Sequence, residues 1–239
     1  MQFEHQQVLL GVGDIEITKR LGFNMIRKHV KVEPARWYAA CDRLGMLVWQ
    51  DMPSWNLEAP RSGGEVKRDP ESAAQFEREL HRLVEGFGNH PSIVMWVVFN
   101  EAWGQYDSVR LAAAVKAQDP SRLVNAASGW NDHPAGDIHD IHIYPGPGAP
   151  RAGGRRAAVL GEFGGIGLAV PGHLWHQKGN WGYRQEEERG QLMANYESRM
   201  DLLRPLIGWG LCAAVYTQTT DVEPETNGFM TYDREVLKF

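Results

Sequence analysis

Only two cysteines occur in the 239 residues, so no framework of several disulfides can brace this chain, and their spacing builds no metal site. Cys41 falls in a helical pattern and Cys212 in an apolar strand pattern, and both are expected to be buried thiols. No stretch reaches the roughly 18 uncharged apolar residues that cross a bilayer, which gives no membrane partner to expect. The first residues, MQFEHQQ, lack the basic-then-apolar layout of a secretion signal, and a cytoplasmic location is the expectation that follows. Neither sign of charge dominates. The formal net charge is −5, there is no long basic run, and RAGGRR (151–156) is too short to line a nucleic-acid groove. Arg155 and Arg156 read as an exposed loop pair. Internal repeats and low-complexity linkers are also missing, so a single domain over 1–239 is the default. Nothing in these patterns sets an oligomeric state, and a homo-oligomer stays open.

What the chain does have is apolar and aromatic surface. Hydrophobic residues make up 43% of it, enough for a large core, and nine Trp, seven Tyr and eight Phe supply faces that suit cores and the apolar faces of sugar rings alike. Short apolar runs alternate with amphipathic segments, a pattern that predicts a parallel α/β fold. Eight runs read as strands, at 8–12, 23–29, 46–52, 92–100, 122–128, 140–145, 157–162 and 210–218. Helices are expected at about 14–21, 34–44, 70–88, 107–118 and 186–204, with no clear helix after the fifth and sixth strands. Pro34 and Pro70 suit a helix's first turn. In the last helix Leu192, Tyr196, Met200 and Leu203 form a stripe that can cover a sheet, while Glu186, Glu187 and Glu188 are expected in its first turn. Eight strands fit a (β/α)8 TIM barrel. Only about a dozen residues precede the first helix, so its first strand and loop must be shortened or incomplete.

Active sites of such barrels lie at the carboxyl ends of the strands, and two glutamates end apolar runs there. Glu101 follows SIVMWVVFN, and Glu162 follows AAVLG. In a period-two strand Ile93, Met95, Val97 and Phe99 share a face with Glu101, and Ala158 and Leu160 share one with Glu162. Hydrolysis of a glycosidic bond with retention needs one carboxyl group to protonate the leaving oxygen and a second, about 5–5.5 Å away, to attack the anomeric carbon. Rim carboxylates also serve other ends, binding a helix or a loop amide, so spacing alone leaves both readings open. His139 and His142 stand three apart, on opposite faces of a strand, and suggest no metal site.

The segments LGFNMIRKHVKVEPARWYAACDRLGMLVWQDMP, NHPSIVMWVVFNEAWG, DIHIYP, VLGEFGG and VYTQTTDVEPETNGFMTYDRE together resemble the family-2 glycoside hydrolases, the group of β-galactosidases, β-glucuronidases and β-mannosidases. The likeness runs from about residue 14 to the end. It implies a retaining exo-β-glycosidase, nearest to the β-galactosidases, that acts on a carbohydrate substrate and needs no cofactor. By resemblance Glu101 is the general acid/base, Glu162 the nucleophile, Asn100 the partner of the sugar 2-hydroxyl and Tyr144 a donor to the nucleophile. Arg27 resembles an arginine near the nucleophile and His29 a substrate-contacting histidine, though their spacing is tighter than Arg-x-x-His. Asp51 either binds sugar hydroxyls or caps the following loop. Trp103, Trp130, Trp175 and Trp181 fall in rim loops, where each can stack on a sugar or simply pack. Tyr216 stands where many relatives have tryptophan, in the floor of the sugar pocket. The β-sandwich domains that precede the barrel in such enzymes are expected to be absent. A truncated, inactive or glycan-binding barrel is the competing reading, with a β-mannosidase or β-glucuronidase as a further one. No Asn-x-Lys motif of the kind that reads a glucuronate carboxylate is present.

Overall fold

The computed structural model describes residues 2–54, 63–151 and 154–239, without the side chains of 2–10. It divides into two compact units, Met1–Asp140 and Ile141–Phe239. No helix among the described residues is long and apolar enough to cross a membrane.

In the first unit helices and strands alternate: α1 (Gln2–Arg20), β1 (Met25–Lys28), α2 (Ala35–Leu44), β2 (Leu47–Asp51), α3 (Pro70–Phe87), β3 (Ile93–Val97), α4 (Ser108–Gln118) and β4 (Leu123–Asn125). The four strands pair in parallel in the order β1-β2-β3-β4. A parallel sheet covered on both faces should be apolar throughout, and Ile93, Met95, Trp96 and Val97 of β3 are all buried. Trp37, Tyr38 and Cys41 of α2, Phe76, Leu80 and Val84 of α3, and Leu111 and Val115 of α4 complete this core. The ends of α3 and α2 follow local chemistry. The Asp69 carboxylate accepts the Ser72 amide at 2.9 Å ahead of Pro70, and Gly45 takes the left-handed conformation (φ 64°) that closes α2.

The run at 8–12 is helical, not a strand, because α1 continues without a break to Arg20. Short apolar runs have no periodicity that separates a strand from a helix. Gly11 has a packing role: a Cβ there would lie 3.2 Å from the Trp37 ring, so its bareness lets α1 approach α2. The other seven runs each overlap a strand.

The second unit holds a sheet of order β5-β6-β9 and a separate parallel pair, β7 with β8. Its elements are β5 (Ile138–Ile143), inside which the boundary falls, β6 (Ala157–Gly164), β7 (Ile166–Leu168), β8 (Arg184–Glu186), α5 (Arg189–Gly208) and β9 (Leu211–Thr217). Leu192 of α5 is buried, and Tyr196, Met200 and Leu203 are partly covered along the same face, as the stripe predicts. The acidic run does not open the helix. Glu186 ends β8 and accepts from Arg184 and Asn195, while Glu188 is the N-cap of a capping box with Gln191. No helix among the described residues separates β4 from β5 or β5 from β6.

Cys41 is buried, and burial pushes its thiol up to about 12. Cys212 is exposed, contrary to expectation. Between Ala158↔Leu211 and Val159↔Ala213 the register slips by one, so Cys212 is the extra residue of a bulge on β9 and leaves the covered face. Arg155 and Arg156 lie in the turn before β6, the first exposed and the second half-buried.

Candidate active site

In the first unit the candidate residues gather beyond the carboxyl ends of β1, β2 and β3. Arg27 of β1 is turned inward, its side chain 2% exposed, and faces Asp51 at the end of β2, itself 1% exposed. The guanidinium grips the carboxylate with two bonds, Nε to Oδ1 at 3.1 Å and Nη2 to Oδ2 at 2.8 Å. Such a forked pair compensates two buried charges at once. Asp51 also accepts the amide of Val30 at 3.3 Å, where the chain after His29 takes a left-handed φ of 44°. Asp51 thus holds Arg27 and the turn that follows β1.

Arg27 does a second thing. Its Nη2 donates to Asn100 Oδ1 at 2.8 Å, and this fixes which way the Asn100 amide points. The opposite group, Nδ2, is buried and finds no partner among the described residues. A buried amide donor left unmet is costly unless something else arrives to accept from it.

Beyond Asn100 the backbone bends sharply. Glu101 and Ala102 both adopt left-handed φ, 49° and 65°, an unusual state for two successive residues with side chains. The bend is held by the Glu101 amide donating to Ser128 O at 2.8 Å and the Trp103 amide donating to Asn100 O at 2.8 Å. Ser128 is anchored in turn through its hydroxyl to Asp140, which also accepts from Asn125. The strict alternation expected through Glu101 therefore ends before it. Half-buried Trp103 meets the His29 ring edge to face at 5.7 Å. Trp130, in the loop after β4, is exposed.

In the second unit Glu162 lies within β6, two residues short of its end. Between Leu160↔Ala214 and Phe163↔Tyr216 the β6 strand carries one extra residue, so Gly161 and Glu162 occupy a bulge. Bulges re-aim side chains, and this one turns a carboxylate out of a buried strand. The Tyr144 hydroxyl donates to Glu162 Oε2 at 2.7 Å and lies 2.7 Å from Thr217 Oγ1. Burial pushes the Tyr144 phenol far above its ordinary value and the Glu162 charge adds to this, so the hydroxyl stays a donor at any working pH. His142 Nδ1 is 3.4 Å from the same Oε2. His142 was not among the expected site residues; that His142 and Tyr144 share a face of one extended segment is the signal that could have found it.

Tyr183 stacks on Tyr144 with ring centroids 3.5 Å apart, and Trp181 meets Tyr183 edge to face at 5.4 Å. Both outer rings are exposed, 42% for Trp181 and 45% for Tyr183. Trp175 is exposed as well and packs its edge on Tyr232. Tyr216 points elsewhere. Its ring is buried among Phe163, Tyr196 and Phe229, and a Cβ on Gly164 would fall 2.2 Å from it. Composition gave no hint of Thr217, at the end of β9, or of Tyr183, because hydroxyl and phenol groups have many uses.

Residues 5–144 match the family model described as glycosyl hydrolases family 2, TIM barrel domain. A β-galactosidase of Aeromonas hydrophila subsp. hydrophila is 35% identical over 126 residues, which are 52% of this chain and 12% of that enzyme. One from Leuconostoc mesenteroides subsp. mesenteroides is 28% identical over 127 residues, again 12% of its length. The matched stretch is thus a small part of these relatives. Among solved structures, a β-D-glucuronidase of Dictyoglomus thermophilum superposes with a TM-score of 0.72 over 95% of this chain and 44% of that one, at 17% identity. A β-galacturonidase of Eisenbergiella tayi bound to galacturonate gives 0.71 over 97% of this chain and 47% of that one, also at 17% identity. These likenesses show a shared fold, the (β/α)8 barrel predicted from the alternating strands and helices. The chain belongs to the glycosyl hydrolases of family 2, as a member of their TIM barrel domain.

Proposed function

We propose that this chain is the catalytic part of a retaining exo-β-glycosidase, with Glu162 as nucleophile and Glu101 as general acid/base. The observation that carries the reading is Glu162 itself: a bulge lifts its carboxylate out of a buried strand, and a phenol whose pKa burial pushes up donates to it. A donor of that kind favours the ionised carboxylate, the form that attacks an anomeric carbon. The left-handed bend at Glu101 adds support, since strained backbone at a family-2 strand end is more readily explained by chemistry than by packing. The Asn100 amide, oriented by Arg27 with its donor unmet, suits a sugar 2-hydroxyl whose bond strengthens as positive charge develops on the ring. His29 and Trp103, edge to face, offer a polar and an aromatic contact beside it.

The substrate is a terminal β-galactoside by this reading, because the curated relatives matched over about half the chain are β-galactosidases. No cofactor is required by the double displacement. The test is a panel of nitrophenyl β-glycosides. The chain should release nitrophenol from the galactoside, and Glu162→Ala should lose that activity by several orders of magnitude. Galactoside binding without hydrolysis by the parent chain would instead favour a barrel that only binds glycans.

A further inference from the structure

We propose that Glu225 reads the hydroxyls of a neutral terminal sugar and turns uronosides away, which rests on the reading that the sugar sits against Glu162. Two separate paths tie Glu225 to that carboxylate. Along the backbone, Glu225 bridges to Trp181, whose amide donates to Pro224 O at 2.9 Å and whose carbonyl accepts the Thr226 amide at 2.8 Å. Trp181 leads through Tyr183 to Tyr144, the donor to Glu162. Along the side chains, Asn227 Nδ2 donates to Glu225 Oε1 at 2.8 Å, and Gln218 Nε2 donates to Asn227 Oδ1 at 2.7 Å. Gln218 directly follows Thr217, the other neighbour of the Tyr144 hydroxyl. The paths converge at Gly165, where an added Cβ would lie 3.2 Å from both Asn227 Nδ2 and the Tyr144 ring.

The electrostatics agree with this placement. Burial pushes the Glu225 carboxyl up; the Asn227 and Gln218 amides pull it down and the charge of Glu162 pushes it up again, with a net rise. A third carboxyl group that feels the nucleophile's charge needs a purpose, because it opposes the ionisation of both.

Sugar recognition supplies one. A carboxylate offers about four acceptor positions, and the Asn227 amide occupies one at Oε1. Vicinal hydroxyls of a pyranose can fill others while the exposed faces of Trp181 and Tyr183 cover the ring's apolar side. A uronate would bring one more negative charge beside Glu162 and Glu225, and like charges at close range repel. The galacturonate-bound relative shares the fold at 17% identity, so fold alone does not decide between the two sugar classes.

The experiment measures dissociation constants of methyl β-D-galactopyranoside and methyl β-D-glucuronide for the full chain and for Glu225→Gln, with Glu225→Ala as a second variant and melting curves as a check on folding. The parent chain should prefer the galactoside. Both variants should shift that preference toward the glucuronide by about tenfold or more, the loss of a hydrogen bond to a charged group. An unchanged ratio in either folded variant overturns the proposal. Hydrolysis of nitrophenyl β-galactoside is followed in parallel. Turnover with an unshifted ratio sinks the assignment of Glu225 alone, whereas a shifted ratio in a chain with no turnover sinks the hydrolase reading alone.

Discussion

Among single residues Tyr144 is pivotal, meeting Glu162 and Thr217 through one hydroxyl. Replacing it by Phe removes the donor and keeps the ring stacked on Tyr183. The Glu162 carboxylate then loses a bond made to its ionised form, so its protonation moves to higher pH. The expected outcome for Tyr144→Phe is a fall in kcat/KM of roughly tenfold to a hundredfold at neutral pH, by the order of one charge-assisted bond. The acidic limb of the pH profile should rise with it, which a pH series on a nitrophenyl glycoside checks. An unmoved acidic limb would show that the bond does not bear on the ionisation that matters. Glu162 was legible as a strand-end carboxylate, and Tyr144 through the family resemblance. Arg27 and Asp51 were legible only as separate candidates; that they form one buried forked pair depends on which strands are neighbours, and β1 pairs with β2.

At the element scale the decisive feature is the irregularity of β6. An apolar run ending in a glutamate reads as a strand with a catalytic end, and that reading located Glu162 without the bulge that aims it. Bulges leave little trace in sequence, because the extra residue is defined by the partner strand. Gly161, beside Glu162, and the pair Gly164 and Gly165 are the local signs. Gly164 has φ 87° and no room for a Cβ beside Tyr216, so Gly164→Ala strains the backbone and collides with a buried aromatic cluster. The expected result is a destabilisation of about 2–4 kcal/mol, seen as a lower midpoint in urea, with activity lost in proportion to misplacement of Glu162. A wild-type midpoint would contradict the close approach. Helices were easier to read than this, since Asp69-Pro70 and the glycine after Leu44 carry their own boundary chemistry. The run at 8–12 was misread because five apolar-rich residues cannot tell a strand from one turn of a longer helix.

At the scale of the whole molecule, stability and chemistry make different demands on carboxyl groups. Asp119 is held below its usual range: burial acts against this, but bonds from Ser121, Trp96 and Arg122 outweigh it. Asp42 is likewise depressed by Ser92 and His90 against its burial. A carboxyl group depressed in the folded state stabilises fully above its unfolded pKa of about 3.9 and loses that contribution as pH falls through the folded value. Asp119→Asn should therefore be less stable than the parent at pH 7, with the difference shrinking towards pH 3. Denaturation at the two pH values checks it, and a difference that grows on acidification would contradict the sign. Glu225 is shifted the other way, as a recognition group beside a nucleophile would be.

The central claim is that Glu162 attacks and Glu101 protonates, and azide distinguishes the roles directly. On an activated aryl β-glycoside, Glu162→Gly with azide should give the α-glycosyl azide, because azide replaces the missing nucleophile in a single displacement. Glu101→Ala with azide should give the β-glycosyl azide, because azide there intercepts the glycosyl-enzyme in the second displacement. Proton NMR of the two products reads the anomeric configuration. Opposite anomers are expected from the two variants; the same anomer from both, or undiminished hydrolysis by Glu162→Gly without azide, would overturn the assignment.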